Sequence, residues 1–166
     1  MVAPHHRGSP ARALEAAFRR IEVEAMADLE VHNRQLRVEV LAPRLWKGRW
    51  LTVLITPWCM NLVLLPAPGG EWTSGIGQER LFYKFPAGDF AFLCGVEAEI
   101  GEYHSCALFS STADFPDQEC AREVAAMALD TLLQAPAAAA MDKEQASADK
   151  PTLSRRAFLS GGRTRS

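Results

Sequence analysis

The chain contains 166 residues, of which 48% are hydrophobic and 23% are charged, and its formal net charge is −2. This near-neutral balance excludes a strongly basic nucleic-acid-binding protein, and the apolar content excludes a chain that is disordered throughout. The length suits one domain that can bury a core without disulfides.

Charge is distributed unevenly along the chain. Residues 1–134 contain 12 Lys and Arg against 17 Asp and Glu, a net charge of −5, whereas residues 135–166 contain six against three, or +3. All Trp, Tyr and Cys residues also lie before residue 135. We therefore predict a flexible N-terminus over residues 1–9, a folded domain over 10–134, a flexible linker over 135–153 and a disordered basic tail over 154–166.

The first predicted element is an amphipathic helix over about residues 10–29. Ser9-Pro10 is typical of a helix start, and Glu15 and Arg19 have the spacing of an ion pair on its outer face. Apolar residues recur at steps of three and four, as a buried helical stripe requires, at Leu14, Phe18, Ile21, Ala25 and Leu29.

Strands follow this helix. Leu36, Val38 and Val40 alternate with charged residues, which predicts a half-exposed strand, and Lys47-Gly48 predicts a turn. Further strands are predicted at about 51–56, 61–65, 80–85, 89–95 and 103–109, and a second helix at about 116–134. The fold class is therefore α+β: a mostly antiparallel sheet or partial barrel of five to six strands, flanked by an N-terminal and a C-terminal helix.

No charged residue occurs from Trp50 through Gly70, yet this segment does not predict a membrane span. Pro57 and Asn61 interrupt its middle, and Pro66 and Pro68 lie near its end, so two strands around a short break are favoured. The first residues lack the continuous apolar segment of a secretory signal. We predict a cytoplasmic protein without membrane insertion.

The four cysteines are widely spaced, and no CxxC pair occurs, which excludes zinc-ribbon and thioredoxin-like motifs. His104 and Cys106 would share one face of a strand, and Cys59 or Cys94 could approach them. This arrangement leaves open a thiol- or nickel-handling accessory protein. Because no four-ligand set is evident, we predict no metal site, no cofactor and no catalytic residue.

Aromatic residues favour a binding surface. Met60 beside Trp58 is an adaptable apolar pair that suits varied ligands. The predicted partner-binding residues are Trp46, Trp50, Trp58, Met60, Asn61 and Trp72. A small-ligand-binding barrel is an alternative interpretation of the same aromatic content.

Three carboxylates cluster at Glu97, Glu99 and Glu102. Such a cluster is either an ordinary solvated edge or a site that receives a basic peptide. We retain them as candidate peptide-receiving residues.

Five motifs in order resemble the HybE/HupJ family of nickel-iron hydrogenase assembly chaperones. They are IExExM at 21–26, WxGxWL at 46–51, TPWxMNLxLLP at 56–66, FPAGxFxF at 85–92 and SCxLFS at 105–110. The chain departs from the family where Ser111-Thr112-Ala113 replaces a frequent Pro-Met, and it lacks the CxxC pairs of the rubredoxin fused to some relatives.

The resemblance implies a non-catalytic cytoplasmic chaperone in the maturation of an uptake hydrogenase. Its implied partners are the precursors of the small and large subunits and other accessory proteins. For the small subunit, the implied role is to hold a precursor that carries a twin-arginine export signal and to delay export until assembly is complete.

The basic tail contains its own twin-arginine-like motif, SRRAFL, formed by Ser154, Arg155, Arg156, Ala157, Phe158 and Leu159. Only a short basic segment follows it, so it lacks the apolar stretch that an export signal needs. We interpret it as a signal-peptide mimic that occupies the chaperone's own peptide site or a site on a partner.

Overall fold

The computed structural model describes residues 8–26, 28–29 and 32–134. Helix α1 (Ala11–Ile21) continues into a π-helical segment, Glu22–Met26, and helix α2 (Gln118–Leu132) is the last element of the described residues. Between them lie β1 (Glu39–Trp46), β2 (Arg49–Ile55), β3 (Met60–Pro66), β4 (Leu81–Phe85), β5 (Gly88–Glu97) and β6 (Gly101–Phe109).

The six strands form one antiparallel sheet in the order β1-β2-β3-β6-β5-β4. The sheet curls into a half-barrel, with β1 and β4 as its two edge strands. The predicted α+β class, with five to six mostly antiparallel strands between two helices, is confirmed.

Helix α1 covers one face of the sheet. Leu14 and Phe18 pack with Leu54, Val63 and other residues that alternate along the central strands. Ser9 accepts a hydrogen bond from the backbone N–H of Ala11 at 3.2 Å, as its position before the helix predicts. The apolar stripe is shorter than expected, however, because Ala25 and Leu29 are exposed.

Helix α2 covers the opposite face. Asp117 caps it by accepting a hydrogen bond from the backbone N–H of Cys120 at 2.8 Å. Its buried face packs against the remaining apolar side chains of β2, β3, β5 and β6 and consists of Gln118, Ala121, Ala125, Ala128, Leu129 and Leu132. The described residues therefore form two apolar clusters, one on each side of the sheet.

Strand β1 begins later than the sequence indicates. Leu36 and Val38 are buried, as their alternation predicts, but pairing with β2 begins only at Glu39. The register of β1 shifts between Leu41 and Arg44, and Ala42 there has a φ of 49°, which marks a bulge.

The Lys47-Gly48 turn predicted between β1 and β2 is present, and both residues have positive φ, as in a type I′ hairpin. Gly70 packs directly against it: a Cβ at Gly70 would lie 1.8 Å from the Gly48 carbonyl oxygen. None of the described helices is long and apolar enough to cross a membrane.

Candidate functional site

The carboxylate of Glu102 is the centre of a buried polar cluster on β5 and β6, which we call the Glu102 network. Its Oε2 accepts hydrogen bonds from the backbone N–H of Gly75 at 2.6 Å and from the Cys94 thiol at 3.4 Å, and lies 2.8 Å from His104 Nε2. The other ring nitrogen of His104, Nδ1, lies 2.7 Å from the Tyr83 hydroxyl. Glu102 and His104 share a strand face because they are two residues apart, and His104 lies opposite Cys94 in the register.

This environment keeps Glu102 ionised and Cys94 protonated. Burial acts to raise the pKa of Glu102, but the hydrogen bonds from Gly75 and His104 outweigh it and lower the pKa to about 2. Burial and the neighbouring carboxylate raise the pKa of the Cys94 thiol to about 11. Burial also lowers the pKa of His104, against the opposing effect of Glu102.

The indole of Trp72 stacks on the His104 ring, with centroids 4.2 Å apart. Its Nε1 is buried and has no hydrogen-bond partner among the described residues. One ligand atom each from Cys94, Glu102 and His104 lies within 4.8 Å of the others. The network thus places a thiol, a carboxylate and an imidazole where a transition-metal ion could bind them.

A cleft of about 500 Å³, which we call the seam cleft, lies between the β1–β2 hairpin and β4, where the curled sheet fails to close. Trp46 stacks on Phe85 with centroids 4.2 Å apart, and the Arg49 guanidinium lies 5.0 Å from the Tyr83 ring centroid. The cleft is lined by Trp46, Lys47, Arg49, Thr73, Gln78, Arg80, Leu81, Phe82, Tyr83 and Lys84.

The lining of the seam cleft is positively charged. It includes Lys47, Arg49, Arg80 and Lys84 but none of the described carboxylates, and none of these cations forms an ion pair within the described residues. Tyr83 links the two sites, because its ring lies in the cleft and its hydroxyl contacts His104.

The structure separates the predicted partner-binding residues. Trp46 and Trp72 pack against the cluster beneath α2, whereas Trp50 and Trp58 pack against the cluster beneath α1. Met60 is completely buried in the α2-side core. Of the predicted set, only Trp46 lines the seam cleft. Partner binding by all six residues stays a prediction.

Residues 56–59 form the turn between β2 and β3, and Met60 and Asn61 are the first two residues of β3. The Thr56 hydroxyl accepts hydrogen bonds from the backbone N–H groups of Trp58 and Cys59 and donates to the Cys59 carbonyl. Asn61 lies 3.6 Å from the Cys59 thiol. Thr56 and Asn61 of the motif therefore have a structural role, since their side chains make hydrogen bonds that hold the turn.

The predicted acidic residues have partners within the chain. Arg20 makes a two-point contact with Glu99, at 2.8 and 3.0 Å, and contacts Glu97 at 2.7 Å. Their carboxylates raise the pKa of Arg20, and Arg20 lowers that of Glu99. Glu102 lies apart in its buried network, so only the first two carboxylates form one guanidinium-binding surface.

The thiol hypothesis named Cys59, Cys94, His104 and Cys106, of which the structure brings together Cys94 and His104. Cys106 lies in the α2-side core, and Cys59 contacts Thr56. The roles of Tyr83 and Arg49 were not predicted from the sequence. The alternation of Glu102 and His104 on one strand was a usable signal, but their contact with Cys94 depends on the pairing register.

The protein is an α+β half-barrel with a cation-lined cleft at its seam. Its sequence and its fold are both similar to those of known proteins. The family model of the NiFe hydrogenase assembly chaperone HybE matches residues 9–161, and the chain therefore belongs to this family. The tail motif at 154–159 lies outside the described residues but within the matched range.

Two bacterial relatives illustrate the similarity. The hydrogenase expression/formation protein HupJ of Bradyrhizobium diazoefficiens is 35% identical over 148 residues, which are 89% of this chain and 85% of that protein. The probable rubredoxin HupJ of Rhodobacter capsulatus is 34% identical over 131 residues, 79% of this chain but 47% of that protein. The chain thus spans about half the length of the second relative.

The fold matches the solution structure of HybE from Escherichia coli. The TM-score is 0.65 at 26% sequence identity, over 80% of this chain and 81% of that one. The resemblance to hydrogenase assembly chaperones noted in the sequence is confirmed.

Proposed function

We propose that the protein is a non-catalytic cytoplasmic chaperone for an uptake nickel-iron hydrogenase. It binds the precursor of the small subunit, including its twin-arginine signal peptide, and delays export until assembly is complete. The large-subunit precursor and other accessory proteins are further partners. The observation that carries this proposal is the family match over residues 9–161.

The chemistry of the Glu102 network supports a non-catalytic role. A thiol attacks as its thiolate, and the pKa of Cys94, raised to about 11, keeps that thiol protonated near neutral pH. Burial also raises the pKa of Cys59. His104 is completely buried, and its two ring nitrogens contact Glu102 and Tyr83, so neither nitrogen is exposed to a substrate in solution.

Co-purification tests the proposed function. A small-subunit precursor with an affinity tag at its C-terminus is expressed with this protein, beside a matched form that lacks the signal peptide. We expect the full precursor to retain the protein and the shortened form to retain much less. Failure of the full precursor to retain it in hydrogenase-expressing cells would contradict the proposal.

The grouping of Cys94, Glu102 and His104 favours a second candidate function, which is the handling of a divalent transition-metal ion. These residue types supply sulfur, oxygen and nitrogen ligands of the kind that zinc and nickel accept. Elemental analysis of untagged protein measures bound metal. Stoichiometric metal that is lost in Cys94→Ser but kept in Cys120→Ser would support this function, and metal-free protein after incubation with zinc or nickel would reject it.

A further inference from the structure

We propose that the seam cleft binds an extended, acidic peptide segment, which adds as a strand to the outer edge of β4. The inference deepens the proposed chaperone function and rests on it for the source of the segment, a region of the client precursor. The twin-arginine signal itself is a poor occupant, since its guanidinium groups would meet four cations.

The seam cleft carries positive charge that no described carboxylate neutralises. Lys47, Arg49, Arg80 and Lys84 line one cleft and form no ion pair within the described residues. The Nε atom of Arg49 is buried and lacks an acceptor in the described part of the chain. A buried donor without an acceptor destabilises the protein. A carboxylate of a bound peptide would supply an acceptor for Arg49 and a negative charge for the cleft.

The outer edge of β4 is open to a further strand within the described residues. Strand β4 ends the strand order and, within the described residues, pairs only with β5. Alternate residues of an edge strand direct their N–H and C=O groups outward, where an extended peptide can pair with them. Phe82 in the middle of β4 is 72% exposed, so this edge also offers an apolar contact.

The curl of the sheet gives the cleft its second wall. Trp46 and Arg49 reach β4 from the β1–β2 hairpin and contact Phe85 and Tyr83. The five residues of β4 span about 17 Å at the usual strand rise, and a paired segment would have a similar length. Because side chains alternate along a strand, we expect an acidic residue at every second position of the segment.

Fluorescence anisotropy with the purified full-length protein tests the proposal. The probe is a labelled heptapeptide that alternates Val with Glu, and two matched probes carry Gln in place of Glu or N-methyl groups on alternate amides. We expect the Glu probe to bind about tenfold more tightly than either matched probe, since each of these loses the charge contacts or the strand pairing.

The double variant Arg80→Gln and Lys84→Gln should weaken binding of the Glu probe about tenfold. The control double variant Arg12→Gln and Arg34→Gln removes the same charge from exposed residues outside the cleft and should bind within about twofold of the wild type. Circular dichroism confirms that each variant is folded.

Each of the following results would overturn the proposal: no binding of the Glu probe, equal binding of the Gln probe or the N-methylated probe, or an equal loss in both double variants. Tighter binding of single-stranded DNA than of the Glu probe would assign the cleft to nucleic acid and would also overturn it. The assay needs no hydrogenase subunit, so its result is independent of whether a precursor co-purifies.

Discussion

Glu102 connects three parts of the chain through a single carboxylate oxygen. That oxygen accepts one hydrogen bond from the backbone N–H of Gly75, in the loop before β4, and one from the Cys94 thiol on β5. It also contacts Nε2 of His104, which lies on β6 together with Glu102. The loop packs closely against β4 and β6, because a Cβ at Gly75 would lie 2.4 Å from Leu81 Cδ1 and 3.2 Å from His104 Nε2. The carboxylate therefore fixes the position of the loop as well as the orientation of the imidazole.

We expect Glu102→Ala to lower the free energy of unfolding by about 3 kcal/mol, because it leaves the Gly75 N–H and the His104 ring buried without their acceptor. Glu102→Gln should lower it less, since its amide oxygen can still accept. Urea denaturation measures both changes.

The control for this prediction is Glu71→Ala, which removes an exposed carboxylate and should change the free energy of unfolding by less than about 0.5 kcal/mol. Equal stability of Glu102→Ala and Glu71→Ala would show that the Glu102 network contributes nothing to the fold.

At the level of elements, Glu39 ties the first residue of β1 to helix α2. Gln118 donates to its carboxylate at 2.8 Å, and the Arg122 guanidinium contacts it at 3.0 and 3.1 Å. Burial acts to raise the pKa of Glu39, but the hydrogen bonds from Gln118 and Arg122 outweigh it and hold the pKa below its usual range. The ionised carboxylate is therefore the form that stabilises the docked helix.

A carboxyl group with a lowered pKa contributes stability above its unfolded-state pKa, and loses it as the pH falls through its folded-state pKa. We expect Glu39→Gln to lower the free energy of unfolding by about 1 kcal/mol near pH 7, since both partners are partly exposed. The difference from the wild type should shrink below about pH 4.5. Urea denaturation across this range measures it.

Glu123→Gln is the matched control, because Glu123 is exposed on the same helix and should show almost no change at either pH. A Glu39→Gln difference that stays constant down to about pH 3 would mean that the ionised carboxylate is not what stabilises the docked helix.

The elements were predictable where burial and backbone pairing coincide. Strands β2 and β3 and helix α2 lie within a few residues of their predicted positions, because each buries a continuous apolar run or stripe. Alternation of apolar and charged residues indicates which side chains are buried, but it does not show where backbone pairing begins. The strand predicted from Leu36 therefore starts three residues later, at Glu39. Similarly, the helix was predicted to extend to Leu29 because Ala25 and Leu29 continue the apolar spacing. Both residues are exposed in the structure and do not pack against the sheet.

The candidate sites were less predictable, because they depend on which strands become neighbours. Spacing along the chain suggested His104 and Cys106, but the register places His104 beside Cys94, and the sheet order sets both near Tyr83. The four cations of the seam cleft come from the β1–β2 hairpin and from Arg80 and Lys84. Only the curl of the sheet joins these two segments.

For the molecule as a whole, acidic and basic surfaces separate in a way that the net charge of −2 conceals. Residues 1–134 are acidic overall, yet the seam cleft is lined by four cations. The carboxylates of Glu97 and Glu99 hold Arg20 instead. Those two carboxylates bind one guanidinium already, and an arginine from a signal peptide or from the tail would have to displace it.

We propose that the tail motif, at Arg155 and Arg156, competes with the client's twin-arginine signal for one site on the chaperone. The 19 residues of the predicted linker, 135–153, would give a root-mean-square reach of about 20–25 Å and an effective tail concentration near the millimolar range. Even a weak mimic can compete at that concentration.

Deleting residues 135–166 should therefore strengthen binding of the signal peptide, measured by isothermal titration calorimetry. The double variant Arg155→Gln and Arg156→Gln should strengthen it similarly. The matched variant Arg163→Gln and Arg165→Gln removes the same charge but keeps the motif, so it should bind like the wild type. Unchanged affinity of the deletion variant for the signal peptide would reject competition within the chain. Equal effects of the two double variants would mean that the tail acts through its positive charge and not through the twin-arginine-like motif.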